Sequence, residues 1–169
     1  MHRPRLLGLI AAAIVLVLDQ WVKWLVTGPL GIDQEGELRT LLPIFDLRFV
    51  RNKGVSLGLL HADTDVMRWA LVAMTGAIAL GVLWWMRRET NRFDLLGLGL
   101  VLGGAIGNIL DRVRFGYVVD YADLHFGNWS PFLVFNIADA AISIGVVFLL
   151  VRALFARDTP AAPQEKANA

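Results

Sequence analysis

Long hydrophobic runs dominate the chain and are separated by shorter polar stretches. They cover residues 6–26, 67–86, 95–111 and 132–154. Each run approaches the ~20 residues that a helix needs to cross about 30 Å of hydrocarbon. Because a membrane interior has no water to satisfy free backbone groups, such runs are expected to be helical. The pattern therefore predicts an all-α membrane bundle of four transmembrane helices.

The first run also has one feature of a cleavable signal peptide, because Arg3 and Arg5 precede its apolar stretch. The apolar core of a signal peptide is short, about 7–15 residues. This run continues past Asp19 to Val26, and three further runs follow it. We therefore expect an uncleaved first helix.

The segment 28–66, between the first two runs, has a different pattern. Apolar and polar residues alternate from 45 to 49, with the period of two that is typical of a strand. A turn signal follows at 52–54, and residues 55–60 are again mostly apolar. We expect a small outer β-sheet on the membrane surface, amphipathic enough to contact lipid or a bound chain.

The whole of residues 1–157 is expected to form one domain, with an outer loop at 112–131 and a disordered tail at 158–169. Four spans place both termini on one side of the membrane. Lysine and arginine divide equally between the two sides, but the short connection 87–92 is the most basic segment. Short basic loops stay in the cytoplasm, so we expect both termini there as well.

The composition agrees with a membrane protein and narrows its chemistry. Hydrophobic residues make up 56% and charged residues 18%, against roughly 45–50% and 25% in soluble proteins. The formal net charge of +1 gives no electrostatic basis for binding nucleic acid. The absence of cysteine excludes disulfides, thiolate metal sites and a cysteine nucleophile.

Polar side chains in the predicted spans are the strongest candidates for function, because a charged residue there costs roughly 2.5–3.5 kcal/mol on insertion scales. From a rise of about 1.5 Å per residue, the predicted span ends place Asp19 and Asp139 about 10 Å below the outer surface. Asp120, in the outer loop, can fold back toward the same level. These carboxylates are expected to converge in the outer leaflet. The polar residues at issue in the spans are Asp19, Asn108, Asp111, Asn136 and Asp139, with Arg112 directly after the third span.

The spacing of these residues supports a shared site. Asn108 and Asp111 are three positions apart, as are Asn136 and Asp139, so each pair shares a helix face. Glycines recur every four residues just before Asp111, forming a ridge that lets another helix approach closely, within one chain or between two. The ridge consists of Gly99, Gly103 and Gly107.

The aspartates could also be purely structural, paired with Lys23 or Arg112 as buried salt bridges. This explanation is weaker for Asp120 and Asp139, because neither has a basic residue at helical pairing distance. Two neighbouring carboxyls without a cation can be held together by one shared proton.

Other catalytic arrangements have little support. The three histidines are isolated and lack metal-ligand spacing, and no G-x-S-x-G elbow is present. Ser56 with Lys23 or Lys53 could form a serine–lysine dyad, but nothing in the spacing favours it. We expect neither a metal nor a cofactor.

Five motifs, in order along a four-span plan, resemble the lipoprotein signal peptidase family, the type II signal peptidases of bacteria. The likeness covers nearly all of the chain before the tail. In the outer segment the family has N-x-G followed by small residues, and Lys53 and Val55 are compatible variants at its looser positions. The motifs are DQWVK at 19–23, NKGVS at 52–56, GGAIGNILDR at 103–112, VVDY at 118–121 and FNIAD at 135–139.

The resemblance implies an aspartyl endopeptidase of the bacterial inner membrane. It would cut a prolipoprotein on the amino side of a cysteine that carries diacylglycerol, so its partners would be such precursors and membrane lipid, and we expect a monomer. By motif, Asp120 and Asp139 match the catalytic pair. The positions that match residues supporting the site or the substrate are Asp19, Lys23, Asn52, Gly54, Asn108, Asp111, Arg112 and Asn136.

Two other classes of function fit a small polytopic membrane protein. An ion-coupled transporter would use buried aspartates to relay protons or bind a cation, but it predicts carboxylates spread through the membrane depth and usually an internal repeat. A lipid-binding scaffold would use the outer sheet as its contact surface and would leave Asp120 and Asp139 without a purpose.

Overall fold

The computed structural model describes residues 3–54, 65–127 and 129–155. Within these ranges it contains four helices long and apolar enough to cross a membrane, with large apolar side chains exposed along their outer faces. The predicted fold class is confirmed. The apolar stretch 55–60 and the tail 158–169 lie outside the described residues. The helices are α1 (Arg3–Thr27), α2 (Asp65–Arg88), α3 (Arg92–Phe115) and α4 (Ile137–Phe155).

Helix α3 is the centre of the bundle, because α1, α2 and α4 all pack against it. Its most apolar stretch is 61% buried, against 6% for that of α2. The glycine ridge of α3 faces α1: a Cβ on Gly103 would lie 2.5 Å from the Ala12 carbonyl oxygen, and one on Gly107 would lie 2.7 Å from Asp19 Oδ2. Gly99 meets the α1 backbone in the same way. The ridge therefore serves packing within one chain.

A three-stranded antiparallel sheet lies where α1 and α3 end. Its strands are β1 (Leu38–Leu42), β2 (Phe45–Asn52) and β3 (Val118–Leu124), in the order β1-β2-β3. Strand β2 matches the strand expected from the alternation at 45–49. Strand β3 lies within the segment predicted as an outer loop, and its register places Asp120 opposite Val50.

The sheet is attached to the helices by a small apolar core. Val26 of α1 packs there with Phe49 of β2 and with Val119 and Tyr121 of β3. Because side chains alternate along a strand, Asp120 points away from this core. It is nevertheless buried, since almost all of β3 is covered on both faces.

One polar residue of β2 is buried. Asp46 was predicted to lie on the polar face of the strand, yet only 7% of it is exposed. Its Oδ2 lies 3.2 Å from Nε2 of His125, so this histidine is not isolated as the sequence suggested. The alternation predicts only which face of β2 carries Asp46, and this part of that face is covered, with His125 beside the carboxylate.

Helix α4 begins at Ile137, whereas the predicted span began at residue 132. Asn136 caps the helix: its Oδ1 accepts a hydrogen bond from the Asp139 N–H at 2.9 Å. A side-chain oxygen that satisfies a free N–H of the first turn is the usual N-cap arrangement. Asp139 therefore lies in the first turn of α4, closer to the end of its helix than the predicted depth of about 10 Å.

Candidate active site

A buried ion cluster joins α1 to α3. Lys23 Nζ lies 2.8 Å from Asp19 Oδ2 and 2.8 Å from Asp111 Oδ2. Both carboxylate side chains are fully buried. Asp19 and Asp111 thus form the buried salt bridges with Lys23 that the structural interpretation expects. One ammonium between two carboxylates leaves an excess of negative charge, which requires further hydrogen-bond donors.

Neutral donors complete this cluster. Gln20 Nε2 donates to Asp111 Oδ1 at 2.9 Å, and the Val119 N–H donates to Asp111 Oδ2 at 3.1 Å. The Ala138 N–H, in the first turn of α4, donates to Asp19 Oδ1 at 3.0 Å. A carboxylate is favoured at a helix N-terminus because the free N–H groups there carry partial positive charge. The cluster therefore ties α1, α3, β3 and α4 together beside the two remaining aspartates.

Asp120 has a different environment. Only 1% of it is exposed, and its donors are neutral amides: Asn136 Nδ2 at 2.6 Å from Oδ1 and Asn52 Nδ2 at 2.9 Å from Oδ2. Among the described residues, no lysine or arginine forms an ion pair with it. Burial, together with the charge of Asp139, raises the pKa of Asp120 to about 7. This carboxyl can therefore hold a proton near neutral pH.

Asp139 is joined to Asp120 through two asparagines. Asn108 Nδ2 donates to Asp139 Oδ1 at 2.7 Å, and Asn108 Oδ1 accepts from Asn136 Nδ2 at 3.3 Å. Asn136 thus contacts Asp120 with its amide nitrogen and the Asp139 backbone with its amide oxygen. In the part of the chain that is described, Asp139 also forms no ion pair with lysine or arginine. Such a pair can divide the roles of proton donor and proton acceptor.

A glycine turn after β2 orients Asn52. Asn52 Oδ1 accepts the Gly54 N–H at 2.8 Å, which leaves its Nδ2 to donate to Asp120. Gly54 has φ of +83°, a left-handed conformation that side chains with a Cβ rarely adopt. The N-x-G spacing therefore has a physical reason here: Gly54 makes the turn, and the turn fixes the asparagine.

Arg112 lies at the edge of this group, on the last turn of α3. Its Nη1 donates to the Asn108 carbonyl oxygen at 3.4 Å. Arg68 of α2 fixes the same helix end, donating from Nε to the Arg112 carbonyl oxygen at 2.7 Å and from Nη2 to that of Val113 at 2.6 Å. A cation that bonds the last carbonyls of a helix is favourable there. Arg68 was missed from the sequence because this contact joins residues distant along the chain.

An apolar pocket of about 220 Å³ adjoins Asp139. Phe132, Leu133 and Phe135 form one side of it, and Ala140 belongs to the same helix as the aspartate. Leu133 is 79% exposed, so the pocket opens onto the outside of the bundle. The carboxyl therefore lies beside a surface suited to an apolar side chain or an acyl chain.

The sequence matches the model of one protein family. The family model described as signal peptidase (SPase) II matches residues 11–155. This range contains Asp120 and Asp139, the ion cluster around Lys23, and the residues that orient the two aspartates: Asn52, Gly54, Asn108 and Asn136. The chain belongs to the signal peptidase II family. It is therefore a peptidase, which decides between the enzyme and the transporter or scaffold interpretations.

Similar proteins agree with this assignment. A lipoprotein signal peptidase of Rhizorhabdus wittichii is 54% identical over 169 residues, covering 100% of this chain and 96% of the relative. One of Sphingopyxis alaskensis is 52% identical over 147 residues, covering 87% and 84%. A solved structure described as a bacterial membrane enzyme is 26% identical, with a TM-score of 0.77 and coverage of 90% and 94%. The four-helix fold with its small sheet is thus the fold of related membrane enzymes.

The structure brings together most of the residues singled out from the sequence. Asp19, Lys23 and Asp111 form the ion cluster, whereas Asn52, Asn108 and Asn136 surround the two catalytic candidates. Gln20 was not singled out, although a polar amide within an apolar span is itself a signal. The backbone donors of Val119 and Ala138 carry no side-chain signal, and only tertiary structure reveals them.

Proposed function

We propose that the chain is a lipoprotein signal peptidase that cleaves prolipoproteins on the amino side of a diacylglyceryl-modified cysteine. Asp120 and Asp139 would be its catalytic pair. One observation carries the proposal: Asp120 and the half-buried Asp139 share a network of asparagine amides beside an apolar pocket, and among the described residues neither forms an ion pair with lysine or arginine. The neighbouring Asp19 and Asp111, by contrast, both form an ion pair with Lys23.

The mechanism is general acid–base catalysis with an activated water. Two neighbouring carboxyls in a low-dielectric site cannot both ionise cheaply, so the pair holds one proton at neutral pH. The raised pKa of Asp120, about 7, supports Asp120 as the protonated member. Ionised Asp139 takes a proton from water as the water attacks the scissile carbonyl, and Asp120 donates its proton toward the carbonyl oxygen. No metal ion is needed for these steps.

The surrounding polar residues hold this pair in place. Asn52 and Asn136 fix the Asp120 carboxyl, and Asn108 fixes that of Asp139. The Lys23 cluster holds α1 and α3 at the distance that positions Asn108. Arg112 has hydrogen-bonding capacity left for substrate carbonyls or for the developing oxyanion.

The site lies below the membrane surface because the lipid on the cysteine holds the substrate in the bilayer. The acyl chains of a modified cysteine would remain in the bilayer against the outer surface of the bundle, with the apolar pocket beside Asp139 near the cysteine. We further propose that the enzyme lies in the bacterial inner membrane with both termini cytoplasmic and the sheet outside. The basic connection between α2 and α3 supports this orientation.

A cleavage assay with matched substrates tests the proposal. The purified enzyme is given one precursor with and without the diacylglyceryl group, in the presence and absence of a metal chelator. We expect cleavage of the modified precursor alone, directly before the cysteine, at a rate that the chelator leaves unchanged. Equal cleavage of both precursors would refute the specificity, and loss of activity that added metal restores would refute the mechanism.

A further inference from the structure

A second cavity, of about 350 Å³, lies between the ends of α1 and α3 and strand β2. Neither Asp120 nor Asp139 lines it. Its wall toward the bundle includes Lys23 and Asp111, whose charges are already engaged with each other. The side chains that determine what the cavity could bind are Trp24, Asp33, Arg51, Arg114, Phe115 and Tyr117.

Two guanidinium groups give this cavity its charge. Arg51 lies over the Tyr117 ring at 5.4 Å, and Arg114 donates to Gln20 Oε1 at 3.3 Å. Among the described residues, neither arginine forms an ion pair with a carboxylate. Asp33 also lines the cavity, so these three side chains carry one net positive charge, while the buried Lys23 cluster behind them has one carboxylate in excess. Arginine is well suited to phosphate, because its planar donors match phosphate oxygens in pairs.

The cavity lies at the level where lipid headgroups are expected. It lies at the ends of two membrane-spanning helices, α1 at Thr27 and α3 at Phe115. Trp24 is 60% exposed and Phe115 is 49% exposed beside it. Exposed aromatic rings at the ends of spanning helices are typical of the boundary between hydrocarbon and headgroups. A headgroup in the same leaflet could enter the cavity with its acyl chains still in the bilayer.

We propose that this cavity binds the headgroup of an anionic glycerophospholipid, such as phosphatidylglycerol, from the leaflet on the sheet side. The phosphodiester would contact Arg51 and Arg114, and a terminal glycerol hydroxyl would donate to Asp33. The acyl chains would lie against Trp24 and Phe115. The two guanidinium groups attract the charge of one phosphodiester, whereas a zwitterionic headgroup has no net charge to attract. The site is independent of the proposed cleavage reaction.

Native mass spectrometry of the purified protein tests this site. The protein in detergent is mixed with phosphatidylglycerol or phosphatidylcholine of the same acyl chains, and the lipid-bound fraction is measured. We expect the wild type to retain phosphatidylglycerol in preference to phosphatidylcholine. The double variant Arg51→Gln and Arg114→Gln should lose that preference by about tenfold or more, because two favourable charge contacts are removed.

Two further variants separate a specific site from a general charge effect. Arg39→Gln removes an exposed arginine of β1 that does not line the cavity, so it should leave the preference unchanged. The Arg51→Lys and Arg114→Lys double variant keeps both charges but loses the paired donors, so it should bind more phosphatidylglycerol than the glutamine variant and less than the wild type. Equal melting temperatures for the glutamine and lysine variants exclude misfolding as the cause. The proposal is overturned if the glutamine variant binds like the wild type, if Arg39→Gln reduces binding equally, or if both lipids are retained equally. It also fails if inorganic phosphate displaces the lipid at equal concentration, because a free anion would then be the ligand.

Discussion

Asn136 donates a hydrogen bond of 2.6 Å from its side-chain amide to Asp120 Oδ1, the shortest contact that either residue makes among those described here. The same side chain accepts the Asp139 N–H at 2.9 Å and thereby caps α4. One residue thus orients one carboxyl and begins the helix that carries the other. The relative placement of the proposed catalytic pair therefore depends on Asn136 more than on any direct contact.

Replacing Asn136 by alanine should reduce both turnover and stability, and turnover should fall further than in a variant that loses only a helix cap. The loss of an N-cap costs about 1 kcal/mol, and leaving the buried partners of the Asn136 amide unsatisfied costs about 1–3 kcal/mol more. The loss of a positioned donor in a catalytic site typically costs about 10²-fold in rate. Steady-state kinetics and thermal unfolding of the purified variant measure both effects. Asn91→Ala is the matched control, because Asn91 caps α3 through the Phe93 N–H at the other end of the bundle. If both variants lose turnover equally, Asn136 has only a structural role.

The pH dependence of stability should report the burial of Asp120. Its pKa is raised from 3.8 to about 7, so between these values the folded protein holds a proton that the unfolded chain has released. The free energy of unfolding should therefore fall as the pH rises from 4 to 7, by an amount on the order of 4 kcal/mol from this group. Below pH 4 and above pH 7, Asp120 does not make the free energy of unfolding change with pH. Asp120→Asn should remove this part of the decline and be more stable than the wild type at pH 8.

Thermal unfolding in mild detergent at several pH values tests this expectation. The difference between Asp120→Asn and the wild type reports the Asp120 carboxyl together with its charge coupling to Asp139. An identical decline in the two proteins would contradict the assignment of a protonated Asp120.

Replacing Lys23 by methionine should strongly destabilise the fold. It would leave Asp19 and Asp111 buried without their ammonium partner, and breaking a buried ion pair in this way costs about 3–5 kcal/mol. Adding Asp19→Asn and Asp111→Asn to the methionine variant should recover much of the loss, because no uncompensated charge remains. The melting temperatures of the single and triple variants test this. A single variant that melts like the wild type would show that the cluster does not hold α1 to α3.

Gly107 should tolerate no side chain. A Cβ there would lie 2.7 Å from Asp19 Oδ2, so Gly107→Ala should displace the aspartate and lower both stability and turnover. Gly76→Ala is the matched control in α2, because nothing lies within 4 Å of its added Cβ. That control should be neutral or stabilising by up to about 1 kcal/mol, the helix preference of alanine over glycine. Equal melting temperatures for the two variants would contradict the close packing of α3 on α1.

The helices and the identity of the polar residues could be predicted from the sequence because both follow from local chemistry. Runs of about 20 apolar residues report membrane spans directly. Placing a charged residue in a membrane span costs free energy, so each polar residue found in a span is a candidate for a function. The ridge at Gly99, Gly103 and Gly107 predicted a close helix contact, but the partner helix became known only from the structure.

Strand β3 and the pairing of the aspartates could not be predicted in the same way. Because β3 is buried on both faces, it lacks the alternation that revealed β2. Helical spacing relates Lys23 to Asp19, four residues away, but not to Asp111 on another helix. Likewise the start of α4 depends on the cap at Asn136, and the four apolar residues directly before it made the predicted span begin too early, at Phe132.

The most direct test of the central claim is cleavage of a diacylglyceryl-modified precursor by Asp120→Asn and Asp139→Asn. Asparagine keeps the size of the side chain but can neither hold the shared proton nor accept one from water. Asp123→Asn is the matched control on β3, since that carboxylate pairs with Arg48 away from the proposed site. We predict that both site variants fold and insert normally but do not cleave, while Asp123→Asn remains active. Normal turnover by folded Asp120→Asn or Asp139→Asn would contradict the account.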